Sequence, residues 1–441
     1  MLGSIRYFFS DIGHWLASHR RAAAGILVVV LVAGAAGAYL ASSGGDEQAA
    51  SGPPPAPRVV VTEVPVPEDT ADLGFPSFAT KNTTRVAGSD PIADAAAVAL
   101  AVHPSTGGVT GPDAVTLVDA GDWPAAVAAS SLAGDPVDAP LLVTASGEVP
   151  PLTAGAVREL APEGSAATAG RQLFVIGSAA APEGYETLGV DGTGPAELAA
   201  AVDRLRDRLA GNPDHIVIAS SDAPSYAMPA AGWAARSGDP VLFAQKDALP
   251  EATVEALRRH DGVPVFVLGP ESVISDETMN EIEHIAPSAE RVGAEGAVEN
   301  AIAYARYANG DFGWDINDPG HGFVITNTDR PLDAAVASPL SASGTWGPLL
   351  VTDDAAALPA SLHGYLLDLK PGYEDDPTRA LYTHVWLIGD TSALSVDLQA
   401  EVDELAEVAP VTSGAGSTVG PAPGVPESQP NEPKPNSDQN R

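Results

Sequence analysis

Three short polar loops hold the side chains in this sequence best suited to grip a ligand. They are Asp119-Ala120-Gly121-Asp122, Ser220-Ser221-Asp222 and Asn327-Thr328-Asp329-Arg330. Carboxylates, amides and hydroxyls hydrogen-bond to sugar hydroxyls, and several carboxylates together can hold a bridging divalent cation. The candidate ligand-binding residues are therefore Asp119, Asp122, Asp222, Thr328, Asp329, Arg330 and Asp333, together with Arg85. A second use suits the same residues. Asp and Ser before a helix cap it, because a side-chain oxygen satisfies free backbone N–H groups of the first turn. Asp329 and Asp333 admit a third use, since a loop carboxylate and one four residues on at a helix start would place a general acid and base in one cleft.

Other chemistry has weaker support. The loop Asp311-Phe-Gly-Trp-Asp315-Ile-Asn317-Asp318-Pro-Gly320 spaces oxygen ligands at alternating positions, but it lacks the distal glutamate of a calcium loop. Phe312 and Trp314 in it suit either a sugar ring or the core. Seven histidines follow residue 41, and none stands at metal-ligand spacing from another. Phosphate-loop, zinc-protease and nucleophile-elbow motifs are missing from the sequence. The glycines at 189, 192 and 194 lack dinucleotide spacing and read as a turn. Arg204, Arg206 and Arg208 alternate with Asp203 and Asp207, which reads as a solvated helix face with charge pairs. No metal, cofactor or catalytic residue is assigned.

The elements that must position these loops repeat along the chain. Windows 113–144, 214–245 and 321–352 align without gaps at offsets of 101 and 107 residues. Each opens on an apolar run, passes a polar turn with Asp, enters an Ala-rich helical stretch and ends in a second apolar run. Helical patterns precede them at about Pro91–His103, Pro195–Ala210 and Val298–Asn309. The apolar runs LFVIGS (173–178), VFVLGP (265–270) and VWLIGD (385–390) follow. Strands that are apolar throughout, joined by helices, predict parallel sheets covered on both faces. Such sheets present ligands at the carboxyl ends of their strands, where the three loops fall.

Composition sets the surroundings. The 441 residues carry a formal charge of −36 and no cysteine, which argues against nucleic-acid partners and excludes disulfides and thiolate metal sites. Residues 22–40 are uncharged and as a helix would span roughly 28 Å, enough for a membrane core. Arg20 and Arg21 precede that run and Asp46 and Glu47 follow it, so residues 1–21 are expected in the cytoplasm and the bulk of the chain outside. Cleavage of the run as a signal peptide, at Ala36-Gly37-Ala38, is the alternative. Residues 41–80 form a Pro- and acid-rich linker, and 410–441 a Pro-rich tail that cannot bury enough to fold.

Certain residues carry a resemblance. They are Arg85-Val86-Ala87-Gly88 with Asp90 and the Ala-rich helix after it, Pro140-Leu-Leu-Val-Thr144, Pro348-Leu-Leu-Val-Thr352, Pro331-Leu-Asp333-Ala334, and the Gly residues 177, 269 and 389 closing apolar runs. In these the chain resembles the cell wall-binding repeat 2 family, over about 330 of its 441 residues. The resemblance implies three Rossmann-like α/β repeats with parallel sheets about a pseudo-threefold axis, after one N-terminal transmembrane helix. The repeats would occupy 81–192, 193–294 and 295–409. It also implies noncovalent binding to an anionic envelope polysaccharide. The family aspartate is present as Asp333, whereas Ala125 and Tyr226 take its place in the first two copies. The expectation is thus a single-pass plasma-membrane protein, outside the cytoplasm at the cell wall, that binds a wall polymer without catalysis. The rival readings are a protein-interaction scaffold whose C-terminal tail engages a partner, and a wall-glycan enzyme using a carboxylate pair.

Overall fold

The computed structural model describes residues 78–104, 111–343 and 346–411. The expected membrane helix at 22–40, the segment before it, and nearly all of the linker and tail lie outside the described residues. Among the described residues no helix is long and apolar enough to cross a membrane.

The chain begins with strands β1 (Phe78–Ala79) and β2 (Thr83–Val86) and helix α1 (Pro91–Val102). Next come β3 (Val115–Asp119), α2 (Trp123–Ala129), β4 (Leu141–Thr144), α3 (Pro151–Leu160), β5 (Leu173–Ile176), β6 (Thr187–Val190) and α4 (Pro195–Ala210). A second series holds β7 (Ile216–Ser220), α5 (Pro224–Ser237), β8 (Val241–Ala244), α6 (Glu251–Arg259), β9 (Val265–Leu268), α7 (Asp276–Ile285), β10 (Glu290–Val292) and α8 (Ala297–Arg306). The third holds β11 (Gly322–Asn327), α9 (Pro331–Ala342), β12 (Leu349–Thr352), α10 (Ala360–Asp368), β13 (Gly372–Tyr373), β14 (His384–Ile388), α11 (Val396–Ala406) and β15 (Ala409–Pro410).

The expected α/β class with parallel sheets is what forms. One sheet has the order β4-β3-β5-β6, another β8-β7-β9-β10, and each is parallel throughout. A third has the order β12-β11-β14-β2, parallel, with β1 added antiparallel at its edge. Its β2 comes from residues that the sequence reading placed in the 81–192 unit. Val385 pairs with Thr83 and Ile388 with Val86, so this sheet joins both ends of the described chain. β13 and β15 form a small separate pair.

Composition explains the layers. The inner strands are buried along their whole length, which is why they are apolar at nearly every position, with polar residues mainly at their carboxyl ends, instead of at alternate ones. The helices following β3, β7 and β11 are Ala-rich because they are enclosed on all sides: α9 is buried from Leu332 to Ala342 and α5 from Ala227 to Ala235. α9 packs on both α5 and α2, and α5 packs on α2. Their ends come very close. A Cβ on Gly134 would lie 2.0 Å from the Ala235 carbonyl oxygen and 3.3 Å from Ala342 Cβ. These three residues stand at the same place in the three aligned windows. Gly134→Ala is therefore expected to cost about 1–3 kcal/mol through overpacking, read as a lower urea midpoint at unchanged slope.

Candidate functional site

The loops after β11, β14 and β2 meet at the carboxyl end of the third sheet. The chain leaves β11 for β12 on one side, while β14 and β2 lie on the other, and such a reversal opens a crevice at the strand ends. Arg330 lies in it. The β11–α9 loop is shaped by Asn327, whose Oδ1 accepts the Asp329 N–H at 2.9 Å and whose Nδ2 donates to the Ala393 carbonyl at 2.8 Å. Gly389 follows β14 at φ +105°, and a Cβ there would stand 3.1 Å from Arg330 Nη1. The guanidinium needs that space.

Arg330 bridges two fully buried carboxylates. Its Nη2 donates to Asp94 Oδ2 at 2.5 Å, and its Nε lies 2.7 Å from Asp333 Oδ2. Asp94 Oδ1 accepts the Gly88 N–H at 2.7 Å, an approach that a side chain at position 88 would block. Asp94 lies on α1 and Asp333 on the first turn of α9, so the bridge ties the helix after β2 to the helix after β11. One cation cannot neutralise two buried acids. Burial, then the nearby Asp333, pushes the Asp94 carboxyl up to about 9, and burial pushes Asp333 up to about 7 despite Arg330. The pair titrates as a unit and retains a proton at neutral pH.

The candidate residues divide by exposure. Arg330 keeps 17% of its side chain exposed, Asp329 is exposed and Thr328 is half-buried, so these three reach the surface at the strand ends. Asp333 is buried beneath Arg330. Arg85 has no exposed surface. Its Nε donates to Gln399 Oε1 at 2.9 Å, Nη1 to the carbonyls of Gly389 and Asp390 at 2.9 and 3.1 Å, and Nη2 to the Ser395 carbonyl at 3.1 Å. It fixes the loop after β14 from inside, out of reach of any polymer, and burial lowers its pKa to about 10. Asp329 and Asp333 do not form a matched pair, since the carboxylate sharing Arg330 with Asp333 is Asp94.

The other two sheet ends are built differently. After β3, Asp119 is buried; its Oδ1 accepts the Gly121 N–H at 2.9 Å while Oδ2 has no hydrogen-bond partner. Asp122 caps α2 through the Ala125 N–H at 3.2 Å, and burial raises its pKa. After β7, Asp222 is exposed and accepts the Lys246 N–H at 3.1 Å. Tyr226, at the place of Asp333, donates from its hydroxyl to the Glu295 carbonyl at 2.6 Å. Asn300 faces Gly293 as Asp94 faces Gly88, whereas Leu198 packs at the corresponding Gly192. Among the described residues, the third of the three strand-end loops alone holds a cation between two acids.

Sequence reasoning missed Asp94. Its signal was a lone acid in the run Ala93–Leu100, which is otherwise apolar and wholly buried. The run 203–208 is corrected in part: its charges do pair and Arg204 and Arg208 are exposed, but Asp203 and Arg206 are buried. In the loop 311–320, Phe312 is buried and stacked on Phe266 with centroids 3.6 Å apart, and Asn317 Nδ2 donates to Asp315 Oδ1.

The class of fold so defined is an α/β assembly of parallel sheets with polar carboxyl ends. Among solved structures it is similar to Cwp6 from Clostridium difficile, at 17% identity and a TM-score of 0.57 over 74% of this chain and 47% of that one. It is likewise similar to Cwp8 from Clostridium difficile, at 16% identity and a TM-score of 0.57 over 74% of this chain and 52% of that one. The chain spans about half the length of each. No protein-family model and no curated protein sequence matches it.

Proposed function

We propose that this protein binds a cell-wall or envelope polymer noncovalently, without catalysis, while residues 22–40 hold it to the plasma membrane. The observation that carries the reading is the shared fold with Cwp6 and Cwp8, which are cell wall proteins. The three aligned windows support three diverged copies of one α/β unit, bounded near 81–192, 193–294 and 295–409, around the junction of α2, α5 and α9. The polymer lies along the carboxyl ends of the sheets. Arg330, Thr328 and Asp329 meet it at the third, Asp222 at the second, and Asp122 at the first, with Asp119 buried beneath it. Arg85 and Asp333 hold that surface in shape from beneath.

The charge of −36 opposes an anionic polymer, so divalent cations bridge the two surfaces. The test is co-sedimentation of a fragment comprising residues 59–441 with purified sacculi, intact and stripped of secondary polymers, with Ca²⁺ or with a chelator. Binding is expected to intact sacculi in Ca²⁺, to fall at least about tenfold on stripping or chelation, and to fall again in Arg330→Gln. Sedimentation that is the same with stripped and intact walls rules out a secondary polymer as the ligand.

A further inference from the structure

A buried ionic cluster lies away from the sheet ends, where α4 meets α6. Asp203 and Asp207 are four residues apart on α4, so their carboxylates leave one face of the helix. His260, the C-terminal cap of α6, turns its ring toward them. Its Nε2 lies 3.0 Å from Asp203 Oδ1 and 3.5 Å from Asp207 Oδ2. One donor atom from each of the three residues lies within 4.8 Å of the others. Zinc ligands at about 2.0–2.1 Å in tetrahedral array stand roughly 3.3 Å apart, close to the two separations from the ring. The Asp203 and His260 side chains are 0% and 2% exposed, so the cluster is closed on the protein side.

Two more features bear on what it holds. Asp207 Oδ1 is buried with no hydrogen-bond partner, with Arg206 Nη1 3.9 Å away. Arg259 pairs with Asp203 and reaches Asp207 Oδ2 at 3.6 Å, yet a third of its side chain remains in solvent. It can swing out without moving either helix. We propose that Asp203, Asp207 and His260 form a three-ligand site for a divalent cation of the zinc type, which Arg259 fills as counter-ion until the metal displaces it. An imidazole with two carboxylates suits zinc, whereas calcium and magnesium prefer all-oxygen sets. The two carboxylates balance the charge of a divalent ion, and the imidazole ligates in its neutral form, while the buried Arg206 keeps the Gly211 carbonyl as its own partner. The fourth tetrahedral position opens on the side that Arg259 vacates.

Full-length protein, stripped with a chelator and dialysed, is titrated with Zn²⁺ by calorimetry and followed by thermal unfolding. One Zn²⁺ per chain and a raised Tm are expected. Arg259→Ala removes the competing cation and should bind at least about tenfold tighter, whereas a pure ion-pair role predicts lost stability with no gain in affinity. His260→Gln and Asp207→Asn should each weaken binding about 100-fold; Asp207, on the open side, reads the site if the histidine variant does not fold. No Zn²⁺ uptake by the wild type and by Arg259→Ala, or uptake unchanged in Asp207→Asn, overturns the proposal.

Discussion

Arg330→Ala is expected to lower stability by about 3–5 kcal/mol at pH 8 and by much less at pH 5. The arginine is the cation bridging Asp94 and Asp333, both without exposed surface. Removing it strands two acids that cannot reach water. The pH dependence follows from the direction of their shifts, up to about 9 and about 7. An acid with a raised folded pKa binds its proton more tightly folded than unfolded, so its contribution is full below the ordinary carboxylate pKa and fades as pH rises through the folded value. At pH 5 both acids are mostly protonated in the folded chain and lose little without Arg330. At pH 8 the wild type relies on the cation to offset the ionised charge, and the variant has none. Urea denaturation at the two pH values checks this, with Asp333→Asn as companion, since it should flatten the fall in stability between pH 5 and pH 8. An equal loss at both pH values would show that Arg330 acts through packing alone.

The same cluster shows what a sequence can and cannot reveal. β3, β7 and β11, with the Ala-rich helices after them, were legible because wholly buried strands and helices leave continuous apolar runs. The fourth strand of each sheet was not. Thr187–Val190 and Glu290–Val292 are short, half-exposed edge strands whose residues carry no period, and β2 is placed by pairing with residues some three hundred positions later. Candidate residues divide in the same way. Loop residues Thr328, Asp329 and Arg330 were found where strand ends predict them. Arg85 and Asp333 stood out by type, but a residue type does not state burial, and both turn inward. Asp94 and the ring of His260 acquire partners only through tertiary contact, Asp94 from a loop 236 positions away and His260 from a helix 57 positions away.

Arg85→Ala is expected to cost more than about 4 kcal/mol, because it leaves the buried oxygens of Gln399 and Gly389 and the partly buried ones of Asp390 and Ser395 without the donor that satisfies them. Position matters as much as the number of bonds. β2 is only four residues long, and its ladder to β14 alone is a modest hold on the N-terminal segment. Arg85 reaches across that ladder and fastens the strand to the loop and helix after β14, while Asp94 fastens α1 to Arg330. The third sheet therefore closes only when chain ends some three hundred residues apart are both in place, a long-range contact whose entropic cost these buried ion and hydrogen bonds must offset. Hydrogen exchange distinguishes local from global failure. Amides of β2, α1 and β14 should lose protection in Arg85→Ala while those of β3, β4 and β5 keep theirs. Uniform loss across all three sheets would instead mean that the assembly around α2, α5 and α9 cannot persist once the third sheet is open.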